Sequence, residues 1–347
     1  MRTPLNADAG ARSAPCLTHV SRVSRRAIVL AAASTGLATL GLPARAADYP
    51  DKPIRLVVPF PAGGATDLMA RTLGQKLAER LGQSVIIDNR AGAGGGVGAE
   101  AVATAAPDGY TLLFATMGSL TINPSLYKNL RYDPVKSFEP ISLTHNTSNL
   151  LVVNPSVPAK SVAELVELAR KKPGELTFAS AGNGTTSHLS GELFKSLAKV
   201  DLTHIPYKGS APAMTDFLGG RTTMMFDTTS NFVDYVKTGK LRPLGLTGRK
   251  RSPALPDVPT ISETPGMGEY EMSLWLGVLA PAGTPKEIVA KLHREIGATM
   301  SAPDMVRQMG DAGIEVRLSS SAEFAALIRS DLAKWAAVVK RSGVQLD

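Results

Sequence analysis

The fold class the sequence predicts is α/β, and three observations predict it. Short β-branched runs alternate with amphipathic helical stretches, glycine-rich segments join strand to helix at two places, and about 300 of the 347 residues follow an N-terminal leader, enough for two domains with their own cores. Residues 54–59 form the first β-branched run, and residues 67–81 then place Ala70, Leu73, Leu77 and Leu81 on one helical face. Residues 84–88 read as a strand, 99–106 as a helix, 110–116 as a strand and 150–153 as another. This β-α-β-α-β order predicts a buried parallel sheet. In the second half, Ser161 and Glu164 make a capping box that opens a helix, residues 176–179 are a strand, 187–197 a helix and 222–227 a strand. The C-terminal part starts with the apolar strand 273–279, after which Thr284, Pro285 and Glu287 read as N-cap, N1 and N3 of a helix. Ser320 and Glu323 cap the last helix, which buries Phe324, Leu327, Ile328, Leu332, Trp335 and Val339 and stops near Gly343.

The leader is an export signal by its three parts: Ser24-Arg25-Arg26, an uncharged run over 27–44, and Ala44-Arg45-Ala46 as a small-residue cleavage site. Cleavage near Ala46/Ala47 leaves a periplasmic mature chain. Paired arginines before a weakly apolar run suggest the twin-arginine route, with the Sec route as the alternative. An N-terminal anchor fits less well, because Ser, Thr and Gly dilute a segment barely long enough to span about 30 Å of hydrocarbon. The single cysteine, Cys16, leaves with the leader, so disulfides, cysteine-based zinc sites and a cysteine nucleophile are excluded from the mature chain. Of 38 basic and 30 acidic residues, six and one lie in residues 1–46, which leaves 32 against 29, about +3. That balance, with no basic cluster beyond Arg249-Lys250-Arg251, argues against nucleic acid.

Two segments run from a strand through glycines into a helix N-terminus: residues 58–67, with Phe60, Ala62, Gly63, Gly64, Thr66 and Asp67, and residues 179–188, with Asn183, Gly184, Thr185, Thr186 and His188. The first amides of a helix lack internal partners, the helix dipole adds positive potential there, and glycine lets a ligand approach the backbone. Neither segment contains Lys or Arg. Recognition by amides, hydroxyls and water suits a small carboxylate better than a triphosphate. A single such loop is equally a plain turn, but two, one in each half, point to facing ligand loops at strand C-terminal ends.

Other residues divide between roles. Asp67 is either a ligand contact or the structural N-cap of its helix; His188 is either a ligand contact or a first-turn histidine; Lys208 is either a cation near the ligand or a solvated surface lysine. Asp227, polar at the end of an apolar strand, is a stronger site candidate. Trp275 is either a cover for an apolar ligand body or core. Gly94-x-Gly96-x-x-Ala99 has the spacing of a dinucleotide fingerprint, yet the preceding strand has already ended and no acid follows at the required distance, so it reads as a surface loop or a turn at a domain edge. The histidines show no metal-ligand pairing on one helix, and no Gly-x-Ser-x-Gly elbow or paired acids suggest catalysis. No cofactor, no metal and no enzymatic activity are expected.

Six ordered motifs carry a resemblance over essentially the whole mature chain: Tyr49-Pro50-x-Lys52-Pro53-Ile54, the Pro59 to Asp67 loop, Asn89-Arg90 with the following glycines, Pro107-Asp108-Gly109-Tyr110, the Gly182 to Leu189 loop, and Pro206-Tyr207-Lys208-Gly209. Together they resemble the Bug family of tripartite tricarboxylate transporter receptors. The resemblance implies a periplasmic-binding-protein-like fold: two doubly wound α/β domains, 47–147 with 273–347 and then 148–272, joined by crossing segments near 146–153 and 272–280, with a cleft that closes by a hinge. It implies a monomer that takes a small carboxylate and docks transiently on integral membrane transporter subunits; the alternatives are a periplasmic ligand-sensing subunit for a receptor kinase, or an enzyme. It implies ligand contacts from the two loops, from Thr116, from Tyr207 and Lys208, and from Asp227. Ala65 and Thr185-Thr186 depart from the residues often found there, which leaves aliphatic and aromatic acids both open.

Overall fold

The computed structural model describes residues 49–342, which belong to one compact unit. The leader, its cysteine and the helix stop at Gly343 lie outside the described residues. Ten strands form one sheet: β1 (Ile54–Val58), β2 (Val85–Asn89), β3 (Thr111–Thr116), β4 (Phe138–Val153), β5 (Thr177–Ser180), β6 (Thr203–Pro206), β7 (Met224–Thr228), β8 (Arg242–Leu246), β9 (Ser273–Pro281) and β10 (Glu315–Val316). The main path runs β2-β1-β3-β9-β4-β7-β5-β6, with β8 and β10 both paired to β4.

The sheet is mixed, which corrects the parallel expectation. Pairing is parallel at its two ends, where β1 joins β2 and β3 and where β5 joins β6 and β7. In the middle it is antiparallel: β9 pairs with β3 and β4, and β4 pairs with β7 and β8. Residues 150–153, read as a strand of their own, are the end of the 16-residue β4. The earlier part of β4 contains Ser142, Thr144, His145, Thr147 and Asn149, all buried. Such polar residues carry no strand periodicity, and only their pairing with β9 makes them one.

Among the described residues ten helices cover the sheet: α1 (Ala65–Leu81), α2 (Gly96–Ala103), α3 (Asn123–Leu126), α4 (Val162–Lys171), α5 (Thr186–Ala198), α6 (Ser210–Leu218), α7 (Val233–Lys237), α8 (Lys286–Met300), α9 (Pro303–Asp311) and α10 (Ser321–Ser342). Side-chain caps mark three of these starts, those of α4, α5 and α10. Ser161 Oγ accepts the Glu164 amide ahead of α4, and Ser320 and Glu323 exchange hydrogen bonds ahead of α10. At α8 the N-cap is Pro285 rather than Thr284, whose hydroxyl instead donates to the Pro281 carbonyl at 2.8 Å. The glycine pattern at 94–99 belongs to a short 3-10 turn and the first residues of α2.

One apolar layer runs under both ends of the sheet. It holds Leu113 and Leu143 together with Phe178, Phe194 and Phe226, and α10 contributes Phe324, Ile328, Trp335 and Val339 to it. A second cluster lies between α1, α8 and the β1–β3 end, and a third between α6, α7 and the β5–β7 end. β4 changes partner along its length: Phe138–Ser148 pair with β9, and Asn149–Val153 with β7 and β8. At that change Thr247, fully buried, accepts the Asn149 amide at 2.8 Å and donates to the Asn149 carbonyl at 3.0 Å or the Met272 carbonyl at 2.8 Å. Its hydroxyl ties the change of partner in β4 to Met272, the residue just before β9. Thr247→Val keeps the volume but leaves the buried Asn149 amide without its acceptor, and should cost about 1–3 kcal/mol, read as a lower urea midpoint at unchanged slope.

Candidate ligand site between two strand-to-helix loops

Both glycine segments lie at strand C-terminal ends, after β1 and after β5, and each opens a helix. Gly64 is the N-cap of α1, in extended backbone with φ −86 and ψ 169. Thr185 is the N-cap of α5, its side chain accepting the His188 amide. The loops meet across an inner cavity of about 60 Å³, lined by Gly64, Ala65 and Thr66 on one side and Thr185, Thr186 and Ser187 on the other. The amides of Ala65, Thr66, Thr186 and Ser187 have no acceptor among the described residues, as first-turn amides do not. Thr116, Thr147, Ser210 and Thr228 add hydroxyls, Asp227 adds the single charged side chain, and Phe60, Met69 and Trp275 add apolar wall.

Thr116 and Ser119 bond each other's amides at 3.3 Å where β3 turns into the π-helical turn Gly118–Ile122. Trp275 turns its indole nitrogen away, donating to Asp331 Oδ2 at 2.7 Å, and sets its ring edge-to-face with Phe324. Phe60, Pro61, Ala181 and Thr185 also line a second, outer cavity of about 330 Å³, bounded by Gly92–Gly95, Asn183, Tyr207 and Lys208. The expected contacts therefore divide. Phe60, Gly64, Thr66, Thr116, Thr185, Thr186 and Asp227 face the inner space, and Asn183, Tyr207 and Lys208 the outer one. Ser210 and Thr147 were missed, since an isolated hydroxyl residue at a helix start or inside a polar strand gives no sequence signal.

Five expected contacts line neither cavity, and four of them hold the loops instead. Asp67 is neither N-cap nor wall: its Oδ2 accepts the Gly63 amide and Arg71 Nε, both at 2.9 Å, and its Oδ1 accepts Asn89 Nδ2 at 2.9 Å. Burial pushes this carboxyl up, but the bonds from Arg71, Gly63 and Asn89 outweigh it and hold the group below the usual range. Gly63 spends its amide on Asp67 at φ +85, where a side chain would be strained, and Ala62 beside it is exposed. Gly184, at φ +76, gives its amide to His188 Nδ1 at 3.3 Å, so His188 carries its proton on Nε2, 3.9 Å from Glu192. His188 stacks on His204 with ring centroids 4.0 Å apart, and His204 Nε2 lies 2.6 Å from Ser180 Oγ. The reason is steric: with the loop wound this tightly, the side chains just inside the helix point beneath it.

The two ends of the sheet touch at these loops. A Cβ on Gly64 would sit 3.8 Å from Ser210 Cβ, and one on Gly209 only 2.9 Å from Pro61. A Cβ on Gly94 would come within 3.2 Å of the Asn183 carbonyl, to which Tyr127 donates at 3.4 Å.

A family model described as tripartite tricarboxylate transporter family receptor (TctC) matches residues 69–344. The chain belongs to that family. The receptor is 35% identical over 321 residues to BugT of Bordetella pertussis, covering 92% of this chain and 98% of that protein. Among solved structures it is similar to R. palustris Rpa4515 with adipate, at 38% identity and TM-score 0.83 over 86% of this chain and 99% of that one. It is also similar to MatC from Rhodopseudomonas palustris with bound malate, at 34% identity and TM-score 0.79 over 84% and 100%. These likenesses place it in the periplasmic-binding-protein fold. No helix among the described residues is long and apolar enough to cross a membrane, and no group of three or more His, Cys, Asp or Glu gathers there as for a metal.

Burial holds three imidazoles neutral: His188 is pushed down to about 4 and His145 to about 3, and His204 to about 3, where repulsion from the stacked His188 adds to burial. An unfolded chain protonates them near pH 6.5, so between about 3 and 6.5 the unfolded state binds more protons and stability rises with pH. The melting temperature should climb across that window and level above it. His204→Phe, which keeps the stack, should flatten part of the climb. Separately, Asp67→Ala leaves the Gly63 amide without its acceptor and Asn89 Nδ2 with the Phe60 carbonyl alone, and should cost about 1–3 kcal/mol in chemical unfolding.

Proposed function

We propose that the receptor captures a small carboxylate between two domains outside the cytoplasm and delivers it to a tripartite tricarboxylate-type membrane transporter, without chemical turnover. The observation that carries this reading is the inner cavity, where unpartnered first-turn amides of two long helices from opposite ends of the sheet face the same space with no Lys or Arg in the wall. Amides and hydroxyls hold an anion by direction rather than by net charge, which suits capture and release. The similar structures carrying adipate and malate support the ligand class. An inner space of about 60 Å³ takes a carboxylate head with a few carbons and falls short of the roughly 150 Å³ that admits benzene. A longer or aromatic body then extends past Phe60 toward Tyr207 and Lys208.

The proposed domains are 47–147 with 273–347, and 148–272. Support comes from the change of partner in β4 between Ser148 and Asn149 and from the start of β9 at Ser273. Hinge motion about these two segments would open the cleft, and a ligand touching both loops would favour the closed form by its differential contacts.

Gly64 gives the clean test. Its extended backbone accepts any residue and a Cβ there meets nothing closer than Ser210, so Gly64→Leu should leave the melting temperature of the free protein nearly unchanged while filling the space between the loops. Calorimetric titration with aliphatic mono-, di- and tricarboxylates should find one saturable ligand class for the parent protein and at least about a hundredfold weaker binding for the variant. Parent-like affinity in Gly64→Leu would move the site elsewhere. Gly184 is no equivalent probe, because its positive φ makes any substitution strain the fold.

A further inference from the structure

Asp227 is the one charged residue in the wall of the inner cavity. It lies near the end of β7, opposite Leu150 of β4, and is 4% exposed. Its Oδ1 accepts the Thr228 amide at 2.7 Å, while its Oδ2 is buried with no hydrogen-bond partner. The side chains of Ser210 and Asn231 stabilise its charge from nearby, yet neither makes a hydrogen bond to Oδ2, and Asn231 Nδ2 is itself without a partner. Burial outweighs that help and raises the carboxyl above its ordinary range. A buried carboxylate oxygen that accepts no hydrogen bond is costly, and the side chains of Ser210, Thr228 and Asn231 favour its charge without closing one to it.

The cavity is therefore polarised. Amides at the starts of α1 and α5 offer donors, and Asp227 offers the only charged acceptor. A molecule that satisfies both carries an acid group and, within a few bonds of it, a hydrogen-bond donor. A cationic donor fits best, because it also restores the favourable environment that burial removes. A second ligand carboxylate placed there would instead set two like charges side by side in a water-poor space.

We infer that Asp227 is a specificity-determining residue that selects carboxylates bearing an amine or hydroxyl over unsubstituted acids of the same skeleton. This rests on the carboxylate-receptor reading of the same cavity, and the test separates the two. Calorimetric titration of the purified protein would use three isosteric series: succinate, malate and aspartate; adipate, α-hydroxyadipate and α-aminoadipate; hydrocinnamate, phenyllactate and phenylalanine. In whichever series binds, the amine should bind tightest and the unsubstituted acid weakest, with at least about a tenfold span. Asp227→Asn keeps the shape and removes the charge, and should compress that span to about threefold or less, chiefly by weakening the amine. Unliganded melting curves check its folding. Should this variant fail to fold, Asp227→Ser gives the same comparison.

An unsubstituted acid that binds the parent protein as tightly as its amine overturns the inference and leaves the receptor reading standing. A preference that persists in both variants assigns the selectivity to another residue and overturns the role of Asp227. Silence from all nine acids overturns the receptor reading and this inference with it.

Discussion

The antiparallel pairing of β4 with β9 is the constraint on which the rest depends. Both strands pass through the middle of the sheet, and one unbroken strand, β4, pairs with β9 for its first eleven residues and with β7 and β8 for its last five. The parallel ends of the sheet are built on either side of this pair, so the loops after β1, β3, β5 and β7 converge on one space. Close packing keeps it in place: a Cβ on Gly277 of β9 would fall 2.5 Å from the Phe324 ring, and the apolar layer beneath runs unbroken from one end to the other. The hinge proposed at this pair would bend a region whose hydrogen bonds, through Thr247 and Asn149, are made on both sides of the change of partner.

Charge is managed differently in the two layers of the site. In the supporting layer it is neutralised, with Asp67 locked to Arg71, Asn89 and the Gly63 amide. In the cavity wall it is nearly excluded, and in the proposed carboxylate site hydroxyls and helix amides would do the work that a lysine or arginine does in a tighter and less reversible anion site. Asp227 is the exception, and its unpartnered oxygen marks where the protein leaves part of its hydrogen bonding to something else.

The glycines show the same division of labour. Gly64 is small because space is needed beside it, whereas Gly63 and Gly184 adopt left-handed backbone so that their amides can reach Asp67 and His188. The histidine stack under the second loop is held neutral by burial, which lets His188 accept from Gly184 through an uncharged nitrogen at physiological pH. Shape in the cavity thus rests on polar side chains beneath the loops that line neither cavity.

Local rules made the α/β class, the two glycine loops, most element positions and the capping boxes legible in the sequence, because periodicity, N-cap chemistry and glycine punctuation act over a few residues. The same locality explains what was misread. Nothing within reach of Ser142 to Asn149 marks a strand, since its stability comes from β9 more than a hundred residues away. Asp67 looked like a cap or a contact because its partners Arg71 and Asn89 are distributed over a helix and the next strand. Ser210 and Thr147 entered the wall only through the approach of the two sheet ends. The sequence by itself determined which loops bear free amides; which of their side chains face the cavity and which face beneath it was decided by tertiary packing, because a tight turn fixes a direction only once its neighbours are in place.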